Sequence, residues 1–208
     1  MKRLSFIISF LFLISFSNNV EGQTRIDTLY YDFDHNVVRD TSFAKEIIII
    51  KHSDSHYLKQ YERYRIVDKL LLQEGYCIGL DDSGKLLKEG MSRVYENGQL
   101  VSTCMFKKNK MNGILTSYNE MGAIEAEATY QDDIQSGPIR TYHPNGNLAT
   151  VEYSVNFIRE GYYKQFWPNG KLQMYGTFKN GLANGTFLLY DELGNLTETA
   201  YFINDIKQ

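Results

Sequence analysis

From residue 90 to the C-terminus, the apolar and polar positions of this chain recur on a cycle of 24 residues. Gly98, Gly122, Gly146, Gly170 and Gly194 are each followed, two residues on, by an aliphatic side chain: Leu100, Ile124, Leu148, Leu172 or Leu196. A second glycine set, Gly113, Gly137, Gly161 and Gly185, keeps the same period, with Gly90 one residue out of step. Five residues after each of these stands an aromatic: Tyr95, Tyr118, Tyr142, Phe166 and Tyr190. In four of the five units another aromatic lies six residues after the aliphatic, at Phe106, Tyr130, Phe178 and Phe202. A fixed period of this length is the signature of a repeat architecture.

Each cycle reads as a β-hairpin. The second glycine opens a strand that ends at the aromatic, and a tight turn follows, such as Glu96-Asn97-Gly98 or His143-Pro144-Asn145-Gly146. Asn-Gly predicts a two-residue loop with both residues at positive φ. A second strand runs from the aliphatic to the next aromatic, and a polar loop such as Lys179-Asn180-Gly181 returns the chain. The fold class that follows is all-β: an elongated single antiparallel sheet, a meander of tandem 24-residue hairpins.

Side chains alternate across a strand, so the positions two, four and six after the aliphatic share one face. The fourth is small in four units, at Cys104, Ala128, Gly176 and Ala200. A small residue beside a recurring ring predicts that a neighbouring strand's ring lies over it, building an aromatic ladder. The third unit breaks the pattern. Glu152 and Ser154 stand where a small residue and an aromatic belong, and Tyr153 comes one position early, which predicts an irregularity between residues 149 and 157.

Upstream, Tyr64, Leu70 and Tyr76 reproduce the spacing, so the repeat region spans residues 64–208. It comprises a degenerate unit at 64–89, with a turn-rich insertion at Asp81-Asp82-Ser83-Gly84, and units starting at 90, 113, 137, 161 and 185. Residues 23–63 lack the period and read as a β-rich cap, with strands over 26–33 and 47–51 and a short helical turn at 42–45. Residues 1–22 carry Lys2 and Arg3, an apolar run and a small-residue boundary, and read as a cleavable signal peptide. The expectation is an exported chain, periplasmic or at the cell surface.

Composition supports this picture: 16 Tyr, 12 Phe and 16 Gly against 3 Pro suit short strands with many reversals. Net charge is −3, and removal of residues 1–22 makes it −4. So mild and mixed a balance gives no reason to expect nucleic acid or strong membrane binding. Cys77 and Cys104 are separated by an intervening strand in the repeat frame, beyond disulfide reach, and are expected to be free thiols.

The cycle Gly-x4-Tyr, Asn-Gly-x-Leu, x5-Phe resembles the bacterial MORN repeat variant, as in YwqK-family antitoxins and exported proteins. Tyr30-Tyr31-Asp32 and Phe43-Ala44 in the cap also resemble the leader of exported members. The resemblance implies a binding or scaffolding module.

Candidate chemistry is sparse. His52 and His56 bracket a turn, not a helix face, and do not form a metal site. Asp32, Asp34 and Asn36 begin like a calcium loop, but Val37 and Phe43 occupy its glycine and glutamate positions. Nucleophile elbow, phosphate loop and dinucleotide fingerprint are all missing, so no enzyme, metal or cofactor is expected. Three partner classes remain: a protein of the cell envelope, a toxin met by an antitoxin, and a carbohydrate stacked on tyrosines. The last strand, with Leu196, Thr197, Glu198, Thr199, Tyr201 and Phe202, has no successor and is expected to recruit a partner or a second copy by strand addition.

Overall fold

The computed structural model describes residues 26–31, 38, 42, 44–52 and 58–208. The signal peptide, the calcium-like loop from Asp32 to Asn36, Phe43 and His56 lie outside the described residues. Seventeen strands form one open antiparallel sheet among the described residues. The cap supplies β1 (Ile26–Tyr31), β2 (Glu46–Lys51) and β3 (Lys59–Arg65). Then come β4 (Leu71–Leu80), β5 (Leu86–Glu96), β6 (Gln99–Lys107), β7 (Lys110–Met111), β8 (Gly113–Tyr118) and β9 (Ile124–Gln131). The remainder are β10 (Ile134–Tyr142), β11 (Leu148–Val155), β12 (Ile158–Phe166), β13 (Leu172–Lys179), β14 (Leu182–Ala183), β15 (Gly185–Tyr190), β16 (Leu196–Ile203) and β17 (Ile206–Lys207). Each strand pairs with its sequence neighbours, so the sheet is the expected meander, and the two-residue pieces β7 and β14 are stubs of β8 and β15. Of the helical turn expected at 42–45, Ser42 alone has 3₁₀ geometry among the described residues, and the Lys45 amide already donates to the Tyr31 carbonyl at 2.7 Å.

The two rims of the sheet use different turns, and this corrects the sequence reading of Asn-Gly. On the rim of the turn aromatics, only Asn97-Gly98 has both residues at positive φ. At Gly146, Gly170 and Gly194 the glycine alone is left-handed, closing a type I turn in which its amide donates to the carbonyl three residues back. The pairing slips by one residue beside every turn aromatic: Tyr64, Tyr95, Tyr118, Tyr142, Phe166 and Tyr190. Two-residue loops with both φ positive sit instead at the opposite rim, at Lys108-Asn109, Asp132-Asp133, Asn156-Phe157, Asn180-Gly181 and Asn204-Asp205. Bulge glycines such as Gly113 and Gly137 then realign the strand.

Hydrogen bonds stitch both rims from unit to unit. On the first rim Asn145 Nδ2 donates to the Pro168 carbonyl at 2.8 Å, Asn169 Nδ2 to the Glu192 carbonyl at 3.0 Å and Trp167 Nε1 to the Tyr190 carbonyl at 3.0 Å. On the second, the amides of Asp133, Phe157, Gly181 and Asp205 donate to the carbonyls of Met111, Gln135, Arg159 and Ala183 at 2.9–3.0 Å. The asparagine of the turn is therefore a connector between units as much as a turn former.

The best-buried core lies at the cap. Leu29, Tyr31, Ile48, Ile50, Tyr61, Cys77 and Leu86 form one cluster, with Leu80 packed against it. The expected loop at residues 81–84 is the tip of a long hairpin, β4–β5, which bends over the cap until the Tyr31 hydroxyl donates to the Gly84 carbonyl at 2.8 Å. Both cysteines are free and buried, Cys77 on β4 and Cys104 on β6, with β5 between them. Burial raises both thiol pKa values, which keeps them in the unreactive protonated form.

Candidate functional site

Residues directly opposite on neighbouring strands share a face. Running along the sheet, one such row reads Ala128, Ile139, Glu152, Tyr163, Gly176, Phe187 and Ala200. Small and large side chains alternate along it except at Glu152, which takes the place of a small residue. The ring over Gly176 is Phe187, buried to 7% exposure, and a Cβ on that glycine would overlap it. The same rule holds in the degenerate unit, where the Tyr61 ring lies 3.2 Å from a Cβ built on Gly75. The expected ladder exists, but its covering rings stand two residues after the glycine, a position the sequence reading passed over. It interleaves them with the Phe178 and Phe202 set. Tyr163, Phe178, Phe187 and Phe202 meet edge to face at centroid separations of 5.8, 5.7 and 5.1 Å.

The turn aromatics do other work. Tyr95 and Tyr142 donate their hydroxyls to Glu74 and Glu127 at 2.8 and 2.7 Å, while Tyr118 meets Thr103 Oγ1 at 3.5 Å. Phe166 and Tyr190 lie half-buried opposite Leu172 and Leu196. Gly98, Gly122, Gly146, Gly170 and Gly194 all lie in turns at φ of 77–90°. These positions build the scaffold.

In the third unit the ladder has a gap. Ser154 occupies the ring position opposite Gly137. The register slip between Glu152 and Ser154 is the same one that β9 and β10 make 24 residues earlier, so the backbone keeps the repeat's template and the irregularity expected between residues 149 and 157 is confined to the side chains. Tyr153, one residue early, faces the other side of the sheet at 38% exposure. Ser154 is 2% exposed and its Oγ finds no hydrogen-bond partner. Leaving such a group unpaired costs about 1–3 kcal/mol. Beside it lies a depression of about 370 Å³ lined by Ile139, Glu152, Ser154, Phe157, Ile158 and Arg159. Arg159 Nε meets Glu152 Oε2 at 2.6 Å, and its guanidinium lies 4.6 Å from the Phe178 ring centre and 5.4 Å from that of Tyr163. Burial raises the Tyr163 pKa against the opposing pull of Arg159.

Phe157 forms the outer lip. At φ 65° it is the one residue at the second position of these rim turns that is neither Gly, Asn nor Asp. Bulky side chains seldom adopt that conformation, and such strain clusters at functional sites. Its ring, 61% exposed, touches the edge of Tyr130 at 6.4 Å.

Residues 159–180 match the MORN repeat variant. This MORN unit spans β12, its turn and β13, and contributes Arg159 to the lining of the gap. No curated protein matches the chain. The MORN variant accounts for the repeat architecture, and the chain is a tandem repeat module.

The other candidates from the sequence fare differently. His52 Nε2 pairs with Asp27 Oδ2 at 2.7 Å. The final strand is less open than its sequence suggested. The chain folds back after Asn204-Asp205, so that β17 pairs with Phe202 and Ile203, Gln208 N donates to the Tyr201 carbonyl at 2.8 Å, and Lys207 meets Glu198 at 2.7 Å. Strand alternation leaves the outer backbone groups of Thr197 and Thr199 as the open part of that edge, while Leu196 and Glu198 turn theirs toward β15.

Proposed function

We propose that this protein is a non-catalytic, protein-binding repeat module, exported to the bacterial cell envelope, whose partner docks on the ladder face at the gap in the third unit. One observation carries the reading: the unpaired Ser154 hydroxyl, the strained Phe157 lip and the Glu152–Arg159 pair all fall at the single unit that departs from the template. Departures from a repeating pattern mark function where the structure bears their cost. Ser154 has no base within hydrogen-bonding reach, as a nucleophile would need, which supports a binding role over catalysis. Edge-to-face packing engages the ring faces with one another, which favours a protein partner over a stacked sugar. The N-terminal pattern of residues 1–22 supports export.

Capture with the chain lacking residues 1–22 tests the reading. Arg159→Glu should abolish retention of the partner and Arg140→Glu, which carries its charge on the opposite face beside Glu127, should preserve it. Equal retention by both variants moves the binding surface off the ladder face.

A further inference from the structure

Resting on that reading, we propose that the gap at Ser154 accepts an aromatic side chain of the partner, a tyrosine, which completes the ladder in trans. The repeat itself states what fits. At the equivalent position the other units carry Phe106, Tyr130, Phe178 and Phe202, and the third unit alone puts a serine there. The neighbours that a ring would meet are in place: Ile139 from β10 lines the depression, and by the repeat a ring at 154 meets Tyr163 of β12 as Phe178 meets Phe187. A depression of about 370 Å³ holds a phenol ring with room for its linker. The lining selects the ring's polar tip, since it holds the buried, unpartnered Ser154 hydroxyl and, paired with Arg159, the Glu152 carboxylate as an acceptor. Arg159 already lies over two rings, and a third ring beside it meets the same guanidinium. Phe157, exposed and held at positive φ, is placed as the flap over the guest.

The probe is a random twelve-residue peptide library displayed on phage, selected on the chain lacking residues 1–22 and counter-screened on two variants. Ser154→Tyr supplies the missing ring in cis; Ser154→Ala keeps the space and removes the hydroxyl. The expected result is enrichment of tyrosine-containing peptides that bind at least tenfold more weakly to Ser154→Tyr. On Ser154→Ala these peptides should bind no better than their phenylalanine counterparts. Thermal melting of both variants at or above the parent temperature establishes that they fold. If Ser154→Tyr does not fold, loss of tyrosine preference in Ser154→Ala decides the matter by itself. Peptides that bind the parent and Ser154→Tyr equally, or that lack an aromatic, overturn the aromatic guest and leave the binding module standing. A library that yields no binder overturns both.

Discussion

Two glycines show how differently one residue type is held. Gly176 has ordinary backbone geometry but no room, because the Phe187 ring fills the space a methyl group would take. Gly146 has room, with nothing within 4 Å, but sits at φ +85°. Gly176→Ala should therefore cost about 1–3 kcal/mol through overpacking, and Gly146→Ala about 1–2 kcal/mol through backbone strain. Urea denaturation checks both, and Phe187→Leu should rescue only the first. Tyrosines give a pH dependence with a defined sign. Burial lifts Tyr31 and Tyr61 to about 12, and burial together with the Glu62 hydrogen bond does the same for Tyr64. Unfolded, these phenols ionise near 10.0. Their contribution to stability is complete below pH 10 and is lost as pH rises toward 12. Far-UV circular dichroism should show the sheet melting across that window, and Tyr31→Phe should move the midpoint upward.

At the scale of the element, the hairpin was legible because its cues are local. A 24-residue period, alternation and turn glycines make strand number, order and face legible, and the break at Glu152 and Ser154 singles out the third unit, where the expected bulge proves to be a change of side chains on an unchanged backbone slip. The rest depended on registers that a local pattern does not encode. Asn-Gly was read as one turn type, yet at residues 145–146 the proline before it sets a type I turn and the asparagine side chain bridges to Pro168. Tyr163 and Phe187 were missed because the shared feature at that position is bulk, carried by Leu115 and Ile139 in other units, not aromaticity. The sequence reading gives the last strand no successor because the closing segment at residues 204–208 is too short to show a period. It has a testable role. Deleting residues 204–208 uncovers the outer groups of Tyr201 and Ile203, and the truncated chain should associate by strand pairing at concentrations where the full chain does not. Adding Thr199→Pro to the truncated chain should reverse this, since it removes an outward donor. Sedimentation velocity distinguishes the two outcomes. An unchanged oligomeric state in all three proteins excludes this edge as an association surface.

For the whole molecule, stability is unevenly spread. The cap has two layers where the β4–β5 tip folds over β1 to β3, whereas the later units rest on one layer and on bonds to their neighbours. Amide exchange should be slowest in β2 to β4 and quicken toward β16, with no common opening rate, as expected of quasi-one-dimensional arrays. Strand spacing implies a length of about 50 Å or more, which small-angle scattering should return as a rod-like distance distribution. The rim bonds carry a further consequence. Because each turn grips only the corresponding turn one unit away, the gap at Ser154 has a numbered address along the rod, and nothing but the order of units sets it. Exchanging the units at 113–136 and 137–160 would carry that address one step, roughly 10 Å, toward the cap. A partner that also touches the cap or the open edge would then find the two contacts out of phase.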